Sequence, residues 1–436
     1  MQKKYSKLFI ASLALLSVTA KAQETIYPTA AQKGTTVITH ATIHVGNGTV
    51  LNDASISFEN GKIIAVGNNV TIPTGATVVD ATGKKVYPGF ILPSSDLGLR
   101  EISSGVRGSN DYQEIGENNA NIRAIVAYNT DSKNIAVLRE NGILLAGVAP
   151  QGDLIEGAAS VVQLDAWNYE DAAYKTDNGI YINMPSFMPR RGRAAFMARP
   201  TGVDPVKAGL DKIETIKKFF TDAKAYYQEK THIGNNLRFE AVRGLYDGKQ
   251  KLFVRANEVK QILLAIDLGK TLGFKVVIVG GSEAFQIASI LADNNVPVIL
   301  DQEHALPTME DDDIDQPYKT PAMLLKAGVL FALNDTHDQS RFRNLAFNAG
   351  TAATYGLDKE QALTAITLNA AKILGIDNIT GSIEVGKDAN ILVANGDALD
   401  MRGNVFIKTY IQGRDVSLDN KQKQLFERYK FKYGIK

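Results

Sequence analysis

Between residues 35 and 90 the chain reads as short strands. TTVITHATIHVG (35–46) is rich in β-branched residues, which favour a pleated, half-buried surface. SISFENGKIIAVG (55–67) is two such runs joined by Asn60-Gly61, a pair that accepts positive φ and marks a tight hairpin. Turn residues at Pro73 to Gly75 and at Gly83 carry the pattern on to residue 90. This predicts a small all-β unit. From Leu252 the period changes. Short apolar runs at 252–256, 275–279, 297–301 and 329–335 alternate with helix-length stretches at 258–270, 283–293, 340–355 and 359–373. Repeated βα units imply a parallel sheet covered by helices. Their spacing leaves room for eight units between residues 91 and 380, and admits a barrel or an open doubly wound sheet. GSIEVGKDANILVANGD (381–397) and VFIKTYIQGRDV (405–416) return to strands like those at the start. The economical arrangement folds both ends together beside the α/β core. FERYKFKYGIK (426–436) is a basic, aromatic tail that reads as a short surface helix.

Composition narrows the function classes. Of 436 residues, 44% are hydrophobic and 22% charged, which suits a globular chain rather than a disordered or multi-span one. With 48 Lys plus Arg against 47 Asp plus Glu, bulk charge gives no support for nucleic-acid binding. Cysteine is absent, which removes disulfides, thiolate metal sites and cysteine nucleophiles.

The N-terminus reads as a signal peptide. Lys3, Lys4 and Lys7 precede an apolar run from Leu8 to Ala20, and Ala20-Lys21-Ala22 places small residues for cleavage after Ala22. The run is too short to span a bilayer comfortably, and no second long apolar run follows. Cleavage leaves 44 basic and 47 acidic residues, a net −3. The expected location is the periplasm or the exterior. The expected organisation is a signal peptide (1–22), the first part of a β-sandwich (23–90), an α/β unit (91–380), the second part of the sandwich (381–415) and a tail (416–436).

Three patterns carry a resemblance: GKKVYPGF leading into Ile91, Leu333-Asn334-Asp335 at a late strand end, and Leu368-Asn369-Ala370-Ala371 through Gly375 followed by Gly381-Ser382-Ile383-Glu384-Val385-Gly386-Lys387-Asp388-Ala389-Asn390. Together they resemble the amidohydrolase superfamily, in its imidazolonepropionase and dipeptidase-like branch, over about residues 35 to 415. The resemblance implies a distorted TIM (β/α)₈ barrel with a composite β-sandwich domain formed by both termini. It implies hydrolysis of a carbon–nitrogen bond in a small amide, cyclic amide or dipeptide at a binuclear metal centre. Such a centre takes two histidines from the first barrel strand, further histidines from strands 5 and 6, and an aspartate from strand 8. The matching positions here are Ser94 and Asp96, Arg255, Gly280 or Gly281, and Asp335. Only the aspartate is kept, and a permanent cation at Arg255 repels a metal. The bridging carboxylated lysine has no clear counterpart.

Two alternatives stay open for the site. In the first, Asp96, His304, Asp335 and His337 hold one divalent metal, zinc or manganese. In the second no metal is held, and Arg255 is neutralised by Asp335 or Asp96, or takes an anionic ligand group bidentately. A metal-free hydrolase needs Asp335 as base and Arg255 or His337 as carbonyl polariser. The expectation for the whole chain is an exported amidohydrolase-like protein with an altered centre. The alternative is an inactive homologue that binds a ligand, or pairs with itself or with a related amidohydrolase subunit.

Several other features have everyday readings. VVIVGGSE (276–283) resembles an anion cradle but equally a tight βα turn. MPRRGRAAFMARP (188–200) is a lid or a solvated loop, and the acid run at 309–315 lacks the spacing of a calcium loop. His40 and His44 lie in the N-terminal β unit, away from any barrel mouth, and His232 follows a long helix and has no special reading. GVAPQGDLIEG (147–157) reads as a loop over the mouth, and Trp167 as a pocket or core residue.

Overall fold

The computed structural model describes residues 27–101, 111–187, 204–229, 231–232, 234–301, 303–307, 311–335 and 339–435. The expected signal peptide and the arginine-rich run at 188–200 lie outside them.

Two eight-stranded sheets organise the chain. The first draws strands from both ends. β1 (Thr36–His44), β2 (Val50–Glu59), β3 (Lys62–Gly67), β4 (Thr77–Asp80) and β5 (Lys85–Pro88) come from the N-terminal part. Asn60 (φ 49°) and Gly61 (φ 79°) form the β2–β3 turn, as their residue types require. The segment Gly381–Asn390 then threads along this unit: Ile383 donates to the Val45 carbonyl at 2.8 Å and Ala389 to that of Gly61 at 2.8 Å. The chain's C-terminal strands complete the sheet.

The second sheet is the barrel. Its strands are β6 (Phe90–Ser95), β7 (Ile143–Val148), β8 (Ile155–Gln163), β9 (Ala173–Asn183), β10 (Lys251–Ala256), β11 (Val276–Gly280), β12 (Val298–Leu300) and β13 (Phe331–Leu333). β14 (Ile391–Ala394), β15 (Phe406–Ile411) and β16 (Arg414–Asp415) return to the first sheet, where β14 pairs with β5. The barrel is nearly closed: across the β13–β6 seam the Ser94 amide donates to the Asn334 side chain at 3.3 Å. Close packing shows at Gly147, where a Cβ would lie 2.2 Å from the Pro93 carbonyl oxygen.

One strand departs from the uniform βα repeat expected from the sequence. β8 runs antiparallel to both β7 and β9, while the other neighbouring strands are parallel. The distortion has a consequence for the site. The start of β8, not its end, reaches the rim where the parallel strands finish.

Inside the barrel, Ile91, Tyr181, Phe253, Val277 and Ile299 form an apolar filling with Ala370, Ala371, Ile373 and Leu374. Those last four residues belong to a helix, Leu368–Leu374, that plugs the end opposite the mouth. The sequence reads as one helix over 359–373, but the structure breaks it after Ala365. The Ile366 carbonyl accepts from the Ile91 amide at 2.9 Å, and Gly375 ends the plug in the left-handed region (φ 72°).

Two lysines cap the plug. Lys251 Nζ donates to the Lys372 and Ile373 carbonyls at 2.9 and 2.7 Å, and Lys175 Nζ to Gly375 at 2.8 Å. Cations suit a helix C-terminus. Burial, aided by the charge of Lys175, still pushes Lys251 down to about 8. The unfolded chain therefore holds a proton on this lysine at pH values where the folded one does not, so this group's term in stability rises with pH between about 8 and 10.5. Denaturant titrations across that window are expected to show a steeper rise for the wild type than for Lys251→Met.

Candidate active site at the barrel mouth

The C-terminal ends of the parallel strands and the start of β8 converge on two clefts. The smaller, about 290 Å³, is lined by Ser94, Asp96, Gln151, Glu156, Asn183 and Arg255 among others. The larger, about 410 Å³, is lined by Arg255, Asn257, Ser282, Asp301, Glu303 and Gln316 among others. Arg255 lines both.

Arg255 stands on β10 as a lone charge in the apolar run LFVRA. Its Nε donates to Glu156 Oε2 at 2.9 Å, and its guanidinium lies 5.0 Å from the Tyr181 ring centroid. Burial opposes the charge, but Glu156 and Tyr181 outweigh it and the pKa is raised. The partner is thus Glu156, not Asp335 or Asp96 as the sequence reading expects. The reason is the antiparallel β8, which carries Glu156 to the mouth. Glu156 is 2% exposed. Its Oε1 also accepts from the Gly152 amide at 3.2 Å and from Asn183 Nδ2 at 2.9 Å. Arg255 keeps 24% of its side chain exposed, facing the clefts.

The two remaining carboxylates of the expected centre also have arginine partners. Asp96 pairs with Arg100 Nε at 3.0 Å and accepts from Gln339 Nε2 at 3.1 Å. Asp335 is wholly buried and lies 3.3 Å from Arg341 Nε, with Asn348 Nδ2 also at 3.3 Å. Its Oδ1 has no hydrogen-bond partner. His304 lies on the loop after β12, with Nε2 2.8 Å from Thr351 Oγ1; burial and the Arg341 charge lower its pKa. His337 lies outside the described residues.

A binuclear metal needs several neutral imidazoles and unpaired carboxylates converging on one point. The mouth's described positions offer instead a serine, an arginine and a glycine, with Asp96, Glu156 and Asp335 already ion-paired. Among the described residues, no group of three or more His, Cys, Asp or Glu is placed to hold a metal ion. Among the described residues, those at the expected ligand positions do not supply the histidines of the family's metal pair.

Glu156, Glu303, Arg100 and Arg341 escaped the sequence reading. Glu156 carried a usable signal: it is a lone acid in the apolar stretch Leu154-Ile155-Glu156-Gly157-Ala158, as Arg255 is a lone base in its own. Glu303 is 2% exposed and neither carboxylate oxygen has a hydrogen-bond partner. Burial, then the charge of Asp335, holds its carboxyl well above the usual range.

The other candidates take their everyday readings. Gly280 and Gly281 (φ 108° and 65°) make a tight turn into a four-residue 3-10 helix, Ala284–Ile287. Asp313 and Asp315 pair with Lys319. His44 stacks on Tyr87 and bonds to Glu360 at 2.7 Å. Trp167 is 62% exposed and lines neither cleft, so it is not a core residue.

Comparison with known proteins supports the same fold. The amidohydrolase family profile matches residues 306–416. An imidazolonepropionase of Deinococcus radiodurans is 23% identical over 395 residues, covering 85% of this chain and 93% of the relative. The solved structure of an amidohydrolase from Thermotoga maritima MSB8 superposes with a TM-score of 0.76 at 26% identity, over 87% of this chain and 99% of that one. A Xaa-Pro dipeptidase with bound methionine shares the fold at 14% identity (TM-score 0.53, 88% and 100% covered). Barrel, composite β unit and C-terminal motif agree: the chain belongs to the amidohydrolase superfamily.

Proposed function

We propose that the barrel mouth binds a small amide or peptide-like molecule through a carboxylate held by Arg255, and that metal-activated hydrolysis is not retained. The observation that carries this reading is the pairing of Asp96, Glu156 and Asp335 with Arg100, Arg255 and Arg341. Such pairs supply electrostatic order where the family fold would place a metal. A guanidinium with open edges is suited to a carboxylate, which it meets through two parallel hydrogen bonds. Calorimetric titration with N-acetylglycine and its uncharged N-methylamide tests it. The acid is expected to bind and the N-methylamide to bind at least about tenfold more weakly, with Arg255→Met abolishing the difference. Equal binding of the two by the wild type would sink the carboxylate assignment.

A second reading is hydrolysis without metal. The observation behind it is the buried, unpartnered Oδ1 of Asp335, which has a lone pair available for the proton of a water admitted beside it. Product release from dihydrouracil, hydantoin or a dipeptide, lost in Asp335→Asn, would favour it over binding alone.

We also propose that the chain is exported and acts in the periplasm or outside the cell. The basic start, the apolar run and Ala20-Lys21-Ala22 suit cleavage after Ala22. Mass measurement of the protein from a periplasmic fraction tests this, and an intact N-terminus would contradict it.

A further inference from the structure

Glu303 is a costly residue without an internal reason. A buried carboxyl with no hydrogen-bond partner is unfavourable, and proteins pair nearly all such groups. Both oxygens of Glu303 are unpartnered at 2% exposure, yet the residue lines the larger cleft. The same cleft carries Asp301, which accepts from Asn334 Nδ2 at 2.6 Å, and Asp312. Its described lining thus holds three acids together with the base Arg255. A cleft lined by both an unpartnered carboxyl and a guanidinium suits a ligand that carries both charges.

We propose that Glu303 receives a protonated amine, so that the ligand of this mouth carries an ammonium group for Glu303 and a carboxylate for Arg255. This rests on the carboxylate reading given above and narrows it from small carboxylates to amino acids and their short derivatives. The incoming cation supplies the hydrogen bonds that the carboxyl lacks and offsets the burial that disfavours its ionised form, so the acid releases its proton to solvent as the ammonium enters, and a charge-assisted bond in a site of low dielectric is strong. The cleft volume of about 410 Å³ admits a ligand of this size.

The test compares isosteric probes on the full mature chain. 4-Aminobutyrate is set against pentanoate, and 6-aminohexanoate against heptanoate, by calorimetric titration. In at least one pair the amino acid is expected to bind about tenfold or more tightly than its fatty-acid isostere. In Glu303→Gln that advantage disappears while the fatty acid binds as in the wild type, which also shows that the variant is folded. An amine that gives no advantage, or an advantage that survives Glu303→Gln, overturns the inference and leaves the Arg255 reading standing. In Arg255→Met both members of a pair are expected to bind more weakly with the amine advantage kept; unchanged fatty-acid binding in that variant upholds the Glu303 role and removes the Arg255 one. Binding of no probe by the wild type overturns both. Thermal unfolding gives a further readout: Glu303→Leu is expected to raise Tm by a few degrees, because an unpaired polar group is removed. A lowered Tm would mean that Glu303 has a structural partner, and would contradict the proposal.

Discussion

Replacing Arg255 by methionine is expected to lower the unfolding free energy by about 3–5 kcal/mol, because it strands Glu156 as an unpaired buried carboxylate. The two hydrogen bonds to Glu156 Oε1, from Gly152 and Asn183, remain in the variant, but Oε2 loses the partner it has at 2.9 Å. The double variant Arg255→Met, Glu156→Leu removes both charges together. It is expected to regain most of the lost stability, since a buried ion pair exchanged for apolar groups of similar volume is often neutral. Denaturant unfolding of the wild type, both single variants and the double variant closes the cycle. A double variant whose loss equals the sum of the two single losses would show that the two residues act independently.

An effect of similar size is expected at Asp165, which lies far from both clefts. This carboxylate joins three parts of the chain. It accepts from Arg139 at 2.8 Å, from Arg414 at 3.1 Å and from the Thr29 amide at 3.0 Å. Arg139 follows the first barrel strand on the helix Lys133–Glu140, whereas Arg414 lies on β16 of the other sheet. Burial lowers the pKa of Arg139 even with Asp165 beside it, so this guanidinium depends on its partner. Asp165→Ala leaves two largely buried arginines facing each other and is expected to cost about 3–5 kcal/mol. The loss should appear first as loosening of β16, read as faster hydrogen exchange in residues 405–416. Unchanged exchange there would mean that the network does not hold the sheet to the barrel.

Much of the fold was legible because local chemistry and tertiary structure agree. Asn60-Gly61 fixes a hairpin through its tolerance of positive φ, and the apolar runs at 252–256 and 275–279 fall on β10 and β11. The segment from Gly381 to Asn390 was readable as a motif, and its backbone does stitch the two chain ends together. The direction of β8 was not readable. Its apolar sequence, Ile155 to Gln163, is as suitable for an antiparallel strand as for a parallel one, because burial on both faces erases the alternation that would distinguish them. That one unreadable direction hid the partner of Arg255.

The candidate site was legible in part for a related reason. The loss of histidines at Ser94, Asp96, Arg255 and Gly280 is visible residue by residue. What replaces them depends on pairs far apart in sequence, such as Glu156 with Arg255, or close but unremarkable, such as Asp96 with Arg100 and Asp335 with Arg341. Surface ion pairs at such spacings are common and worth little, so spacing alone could not mark these as buried ones. Glu303 was passed over because an acid in Asp301-Gln302-Glu303-His304 looks solvated until its burial is known.

The central proposal is that carboxylate–arginine pairs stand in place of the family's metal pair. Metal content tests it most directly. The protein is purified without a metal-binding tag, equilibrated with zinc or with manganese, freed of excess ion and analysed for bound metal, beside Asp96→Ala and Asp335→Ala. The account predicts far less than one equivalent in all three proteins. Stoichiometric metal in the wild type, lost in both variants, would contradict it and restore a metallohydrolase centre to this barrel.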